Sequence, residues 1–247
     1  MHKNKPKKVM FILVAALAVC AAFVLFFTGI FRPNTFLANQ YPVQGVDVSE
    51  YQGEIDWNLL APQISFAFIK ATEGSGYADP HFAKNWQGAQ AAQLPTGAYH
   101  FFSFSSSGQT QAANFIATVP VNPGGLPPVV DIELYGPHKM RPPNAQEVWP
   151  QLDILLAMLE ETYGQKPILY TTMPAYNLYI AGRYNNYPLW IREVLFTPTL
   201  PHGEPWLFWQ YSDKGLLNGY NGKERYIDLN VFAGSQEEWQ QYLNQLL

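Results

Sequence analysis

The chain has 247 residues, enough for one large domain or two small ones, and its 48% hydrophobic content is too high for a disordered protein. The net charge is −4, and the first eight residues hold four lysines, so the remainder of the chain is more acidic than the whole. A nucleic-acid-binding protein needs a basic face, and we therefore expect no nucleic-acid partner. Aromatic residues make up 15% and charged residues 14%, a balance that fits either a carbohydrate-binding surface or a large aromatic core.

The N-terminal residues have the pattern of a membrane anchor. A basic tail, residues 1–8, precedes the uncharged apolar residues 9–31, and about 20 apolar residues span a bilayer. The alternatives are a cleaved signal peptide, whose apolar core is usually shorter, and lipidation at Cys20, the single cysteine. We expect a single-pass membrane protein with a cytoplasmic N-terminus, in contact with the membrane through residues 9–31 and with its large domain on the extracytoplasmic side.

Strand-like and helix-like segments alternate along the rest of the chain. Residues 32–41, with Pro33 and Asn34 as breakers, are interpreted as a linker, and residues 42–247 as one domain. Strands are predicted at 45–49, 66–71, 97–102, 128–133, 167–171, 189–192, 206–211 and 226–231, and helices at 81–92, 109–118, 144–163 and after Ser235. This alternation predicts an α/β protein with a mainly parallel sheet: a TIM-like barrel whose last three units lack full helices, or a doubly wound open sheet.

Polar residues follow the predicted strands at the ends where a barrel carries its active site. Asp131 and Glu133 end the fourth strand and are spaced i, i+2, so their side chains share one face about 7 Å apart. The other polar or aromatic residues at strand ends are Asp47, Ser49, Lys70, Tyr99, His100, Tyr170, Trp209, Gln210 and Asp228. We expect the acids from the first, fourth and eighth strands to converge on one pocket.

Paired carboxylates bind metals, form structural ion pairs or perform acid chemistry. Asp47, Asp131, Glu133 and Asp228 offer the oxygen atoms that a divalent metal prefers, but no histidine joins them convincingly, and acid chemistry is favoured with no metal or cofactor. His100, within an aromatic run, is interpreted as a hydrogen-bonded core residue, and Glu73 as a structural partner of Lys70 or of a backbone amide. The tryptophans Trp190, Trp206 and Trp209 fit either sugar stacking or barrel filling.

Several motifs together resemble glycoside hydrolase family 25, the Chalaropsis-type lysozymes. They are GVDVSEYQG at 45–53, IKATEG at 69–74, YADP at 77–80 with Phe82, GAYHF at 97–101, VDIE at 130–133, WQY at 209–211 and IDLN at 227–230. Their order and spacing agree with the family from about residue 41 to 234. One departure is the segment 191–193 after Trp190, near which the family commonly has a small residue, and the N-terminal anchor differs from the many secreted members.

The resemblance implies a (β/α)5(β)3 barrel and an N-acetylmuramidase, which cleaves the β-1,4 bond between N-acetylmuramic acid and N-acetylglucosamine in peptidoglycan. It implies that Glu133 is the proton donor, that Asp131 orients the substrate 2-acetamido group, and that Asp47 and Asp228 shape the pocket. The expected site is catalytic at Glu133, Asp131 and Asp47 and substrate-binding at Asp228, Tyr99, Tyr170, Trp209, Gln210 and Trp190. We expect a monomer whose partner is the peptidoglycan glycan strand, and the alternative is a non-catalytic peptidoglycan-binding scaffold.

Overall fold

The computed structural model describes residues 5–27, 33–201 and 203–247. Its strands are β1 (Gln44–Val48), β2 (Phe66–Glu73), β3 (Tyr77–Ala78), β4 (Thr96–Phe101), β5 (Val129–Ile132), β6 (Ile168–Thr172), β7 (Leu189–Arg192), β8 (Phe208–Gly215) and β9 (Ile227–Phe232). Its α-helices are α1 (Lys5–Phe27), α2 (Pro33–Ala38), α3 (Trp57–Leu60), α4 (Phe82–Ala91), α5 (Gly108–Thr118), α6 (Ala145–Tyr163), α7 (Met173–Ala175) and α8 (Gln236–Gln245). Short 3₁₀ turns follow α3 and β5, and a π-turn follows α7.

The sheet closes into a barrel. Neighbouring strands are parallel from β1 through β2, β4, β5, β6 and β7 to β8, and β9 closes the ring by pairing antiparallel with both β8 and β1. The two-residue strand β3 only extends the edge of β2. This closure confirms the predicted eight-stranded barrel and rules out the open doubly wound sheet.

Alternation along the strands divides the apolar side chains between two layers. Phe66 and Phe68 of β2 point into the barrel, where the Phe68 ring lies 4.6 Å from that of Trp190, while Ala67 and Ile69 pack outward beneath the helices. Gly45 leaves room inside the barrel for the Phe66 ring, which a Cβ at this position would meet at 2.5 Å. Side chains therefore fill the interior of the barrel, and a binding site is available only at the end where the parallel strands have their carboxyl termini.

Local sequence signals set the helix ends. The Asn144 side chain accepts a hydrogen bond from the Gln146 amide at the start of α6, and Gly164 ends that helix in the left-handed conformation, with φ of 68°. Ser235 and Glu238 form a reciprocal capping box at the start of α8, the helix predicted after Ser235. Among the described residues, those between β7 and β9 that lie outside strands form loops, as expected for the last barrel units.

The residues interpreted as a linker, 32–41, include the helix α2. This helix packs on the outside of β8, where Ala38 joins Trp209, Tyr211 and Val231 in a small buried cluster. The physical reason is that β8 has no covering helix of its own in the chain that follows it, so its outward apolar side chains need another cover. The breakers Pro33 and Asn34 predict a linker and do not indicate that the segment covers β8, because its burial depends on residues distant in the sequence.

The predicted anchor, residues 9–31, overlaps α1, and its last four positions lie outside the described residues. In the part of the chain that the structure describes, no helix has the length and apolarity required to cross a membrane.

Candidate active site

A cavity of about 310 Å³ opens where the parallel strands end at their carboxyl termini. It combines five acids, two basic residues, four large rings adjoining the barrel core, and three other polar side chains. They are Asp47, Asp131, Glu133, Asp213 and Asp228; Lys70 and Arg192; Tyr99, Phe101, Tyr170 and Trp190; and Ser49, Tyr51 and Gln210.

Strand register brings the predicted site residues together from distant parts of the chain. Asp131 of β5 is level with Phe101 of β4 and with Tyr170 of β6, and Tyr170 is level with Trp190 of β7. Asp47 of β1 lies opposite Asp228 of the antiparallel strand β9. Every site residue named from the sequence lines this cavity except Trp209.

Asp47 is held by a buried hydrogen-bond network. Its Oδ2 accepts bonds from Gln210 Nε2 and from Asn230 Nδ2, each at 2.8 Å. The side-chain oxygens of these two amides accept hydrogen bonds in turn: Gln210 Oε1 from the Tyr170 hydroxyl at 3.0 Å, and Asn230 Oδ1 from the Trp190 indole N–H at 2.8 Å. Burial raises the pKa of Asp47 while the two amide donors oppose that shift. Gln210, Tyr170 and Trp190 thus position an acid as well as lining the cavity.

Both members of the carboxylate pair keep a proton to higher pH than exposed acids do. Burial is the leading cause for each, raising the pKa of Asp131 well above its usual value and that of Glu133 in the same direction. The neighbouring charge of Glu133 raises the pKa of Asp131 further, whereas Arg192 lowers and Asp47 raises that of Glu133. For Glu133 the leading cause is burial and not a neighbouring charge, because this residue lies in the mouth of a largely apolar barrel.

Asp131 also has an unused acceptor. Its Oδ1 is buried and has no hydrogen-bond partner among the residues that the structure describes. Buried polar atoms are nearly always paired in folded proteins, so an acceptor left open inside a cavity points to a ligand donor. An N–H group of a bound molecule would satisfy it.

Arg192 and Asp213 are functional candidates that sequence reasoning did not assign. Arg192 Nη2 lies 3.0 Å from Asp213 Oδ2, and their side chains are 32% and 35% exposed within the cavity mouth. In the sequence Arg192 is only one of three residues, 191–193, that depart from the family pattern. The signal for its role was its position, two residues after Trp190 on one strand, which places both side chains on the same face.

Trp209 lies outside the barrel. Its indole N–H donates to the carbonyl of Glu193 at 2.7 Å, and its ring packs edge-on against Tyr41 and Trp206. The neighbouring Gln210 points inward to Asp47, and adjacent strand residues face opposite ways, so only one of the two can reach the cavity. The assignment of Trp209 to substrate binding is thereby corrected.

Two further residues have structural surroundings. His100 is fully buried between the Thr72 hydroxyl at 2.7 Å and the Gln111 side-chain oxygen at 3.1 Å, which agrees with its interpretation as a core residue. Glu73 pairs with Lys70 at 2.8 Å, as also expected. Within residues 5–27, 33–201 and 203–247, no group of three or more His, Cys, Asp or Glu side chains is arranged to hold a metal ion.

A closed barrel with buried, proton-retaining acids where its parallel strands end has the architecture of a barrel enzyme. Comparison with known proteins makes this specific: the model of the family "Glycosyl hydrolases family 25" matches residues 46–220. The chain therefore belongs to glycosyl hydrolases family 25 and is a glycoside hydrolase.

The chain is similar to several proteins of known sequence or structure. A family 25 glycosyl hydrolase from Bacillus anthracis has 51% identity and a TM-score of 0.78, with 82% of this chain and 94% of that chain covered. The uncharacterized protein YegX of Escherichia coli (strain K12) is 39% identical over 210 residues, covering 83% of this chain and 74% of its own. Lysozyme M1 of Streptomyces globisporus is 35% identical over 214 residues, covering 78% of this chain and 68% of its own.

Proposed function

We propose that the protein is a lysozyme that hydrolyses the β-1,4 bond between N-acetylmuramic acid and N-acetylglucosamine in peptidoglycan. The observation that carries this proposal is the pair of proton-retaining carboxyls, the buried Asp131 and the half-buried Glu133, in the cavity of a family 25 barrel. The similarity to Lysozyme M1 supports the substrate class. In this proposal Glu133 is the general acid, and Asp131 orients the 2-acetamido group of the sugar that is attacked.

The placement of the pair favours a substrate-assisted reaction. Asp131 lies in β5, Glu133 follows the end of that strand, and their i, i+2 spacing turns both side chains to one side of the cavity. The double-displacement scheme needs a nucleophile across the sugar ring, and the inverting scheme needs a base on the opposite face. In the first step Glu133 gives its proton to the glycosidic oxygen, the C1–O bond breaks, and the acetamido oxygen bonds to C1. Water then attacks C1, the bond to the acetamido oxygen breaks, and the Glu133 carboxylate takes the water proton.

The protein groups have separate parts in this scheme. Burial keeps the Glu133 proton in place at pH values where an exposed glutamate is ionised, as an acid catalyst requires. The open acceptor of Asp131 is available to the acetamido N–H, which would hold the acetamido oxygen towards C1. The phenols of Tyr99 and Tyr170 stay neutral, because burial and the surrounding acids raise the pKa of each well above its usual value, so they contribute as neutral hydrogen-bonding groups.

Replacing Glu133 by Gln tests the assignment. Removing a general acid typically costs about 10²–10⁴ in rate, so Glu133→Gln should release almost no new reducing ends from purified cell-wall sacculi. The control is Glu161→Gln, which removes one carboxylate charge at an exposed position of α6 outside the cavity. Thermal unfolding should show that both variants fold. Wild-type activity in Glu133→Gln would refute the site assignment.

The same digest separates the enzyme from a binding scaffold. Sedimentation with sacculi and no reducing ends from the wild type would favour the scaffold.

The substrate-assisted mechanism is tested by the anomeric configuration of the first product, which should be retained. An inverted product, or a glycosyl ester trapped on Asp47 or Asp228, would contradict assistance by the acetamido group.

We further propose that the barrel acts on the extracytoplasmic side, where peptidoglycan lies, with residues 1–8 in the cytoplasm and residues 9–31 as the anchor. This placement rests on the basic start and the uncharged stretch of the sequence. Protease added to intact spheroplasts should then digest the barrel of the full-length chain while it stays with the membrane fraction. Protection of the barrel from protease, or its release into the medium, would contradict the placement. Size-exclusion chromatography in detergent tests whether the protein is the expected monomer.

A further inference from the structure

We propose that Arg192, held by Asp213, is a positioning residue that stabilises the Glu133 carboxylate formed when the acid gives up its proton. The proposal rests on the function proposed above and deepens it by assigning a role to a basic residue of the same site. Three observations lead to it: the place of Arg192 in the barrel, its fixed partner, and the charges that surround Glu133.

The strand β7 carries Arg192 into the cavity. Arg192 is the last residue of β7 and is level with Thr172 of β6 and Gln210 of β8. It follows Trp190 by two residues, so its side chain leaves the strand on the cavity side, above the packed rings of the barrel interior. This places a guanidinium at the level where the acids converge.

Asp213 fixes the guanidinium without saturating it. The ion pair joins Arg192 Nη2 and Asp213 Oδ2 at 3.0 Å, and a guanidinium carries five N–H donors in a planar fork. Both side chains are about one third exposed, so the pair lies in the cavity mouth rather than on the open surface. One edge of the fork is therefore anchored, and further donors remain for another carboxylate.

Glu133 is surrounded mainly by negative charge. Asp47 from β1, Asp131 from β5 and Asp228 from β9 line the same cavity, together with Asp213 and the neutral phenol of Tyr170. The basic groups that act on Glu133 are Arg192, Lys139 from the turn after β5, and Lys70, which is already paired with Glu73 at 2.8 Å. Of these three, Arg192 lowers the pKa of Glu133 most.

This arrangement matters most after proton transfer. A carboxylate that forms beside three other acids is repelled by any that are ionised, and a nearby guanidinium offsets that repulsion in a water-poor site. Arg192 therefore makes the proton of Glu133 easier to give to the glycosidic oxygen, while burial still keeps it bound before reaction.

Replacing Arg192 by Met separates this role from a structural one or from substrate contact. Glu133→Gln identifies the Glu133 signal in an NMR titration of the full-length protein labelled with ¹³C at glutamate carboxyls. In Arg192→Met the pKa of Glu133 should rise by about one unit, a factor of ten in proton affinity. The kcat on a soluble peptidoglycan fragment should fall by about threefold to tenfold, because the rate of general acid catalysis follows part or all of the change in acid strength. The alkaline limb of the pH–rate profile should move up with the pKa, while KM changes little.

Arg192→Lys and Arg183→Met complete the experiment. Arg192→Lys keeps a cation and should restore most of the wild-type Glu133 pKa and of the wild-type pH–rate profile. It also replaces Arg192→Met as the test variant if Arg192→Met fails to fold. Arg183→Met removes a guanidinium from an exposed pair with Asp153, outside the cavity lining, and should leave all three readouts unchanged.

The outcomes distinguish the two proposals. An unchanged Glu133 pKa in Arg192→Met overturns the role of Arg192 whatever the activity, and so does a rise in KM with no shift of the alkaline limb, which would indicate a direct substrate contact. A wild-type protein that releases no reducing ends refutes the proposed function instead, and the NMR titration still decides on Arg192.

Discussion

Replacing Asn34 by Ala should destabilise the barrel, although this residue lies in a segment whose sequence indicates a linker. Asn34 is fully buried at the start of α2, and its Nδ2 donates to the carbonyl of Glu193 at 2.8 Å and to that of Tyr211 at 3.3 Å. The carbonyl of Glu193 keeps a second donor, the indole of Trp209. The ladder between β8 and β9 shifts register between Gln210 and Ser212, so Tyr211 lies at an irregularity where a side-chain donor replaces a strand partner.

The expected size follows from these contacts. A buried carbonyl that loses its partner costs about 1–3 kcal/mol, and the second lost bond about 1 kcal/mol. Asn34 Oδ1 has no partner among the described residues, and removing it recovers part of this loss. We therefore expect the free energy of unfolding to fall by about 2 kcal/mol, or Tm by about 4–8 °C for a domain of this size.

Urea unfolding, followed by tryptophan fluorescence, measures this change. The midpoint should fall for Asn34→Ala with an unchanged m-value, and further for Asn34→Asp, which places a buried carboxylate against two carbonyl oxygens. Asn39→Ala, at an exposed position just after α2, should stay within about 0.5 kcal/mol of the wild type. Equal midpoints for Asn34→Ala and Asn39→Ala would show that α2 does not support the barrel and would refute the reasoning.

Two further predictions concern residues outside the acid cluster. Burial lowers the pKa of His100 to about 4 in the folded protein from 6.5, so between these pH values the unfolded chain binds the extra proton and stability falls as the pH falls. The loss should reach about 3 kcal/mol at pH 4 relative to a His100→Gln variant, which lacks this titration; parallel stability curves for the two proteins would contradict it. Trp209→Phe should lower the free energy of unfolding by about 1 kcal/mol through loss of the bond to the Glu193 carbonyl, which keeps Asn34 as a donor, and should leave kcat and KM unchanged; a tenfold rise in KM would return Trp209 to the binding site.

The strands and the acid pair were predictable because their signals are local. Alternation at Phe66–Glu73 separates inward rings from outward aliphatic residues within a few positions, and the Asp131–Glu133 spacing places two acids on one face whatever lies around them. The caps at Asn144, Gly164 and Ser235 likewise depend only on neighbours in the chain. These features required no knowledge of the barrel's closure.

Other features depended on which distant residues become neighbours. The sequence shows Trp209 and Gln210 side by side, but only pairing of β8 with β7 and β9 decides which of them faces Asp47. The cover that α2 provides for β8 depends on Asn34 meeting carbonyls about 160 or more positions away. No local pattern carries such information, because the partner groups are unrelated in sequence.

By itself the sequence determined the alternation of strands and helices, the acid pair and the family motifs, since each depends on residue type and short spacing. Only the tertiary structure decided the surroundings of the acids: Asp47 accepts hydrogen bonds from Gln210 and Asn230, and burial raises the pKa of Glu133 while the charge of Arg192 lowers it. A carboxyl group's proton affinity depends on the solvent it loses and the charges it meets. Both are set by closure of the barrel, which brings β1, β5, β7 and β9 around one cavity.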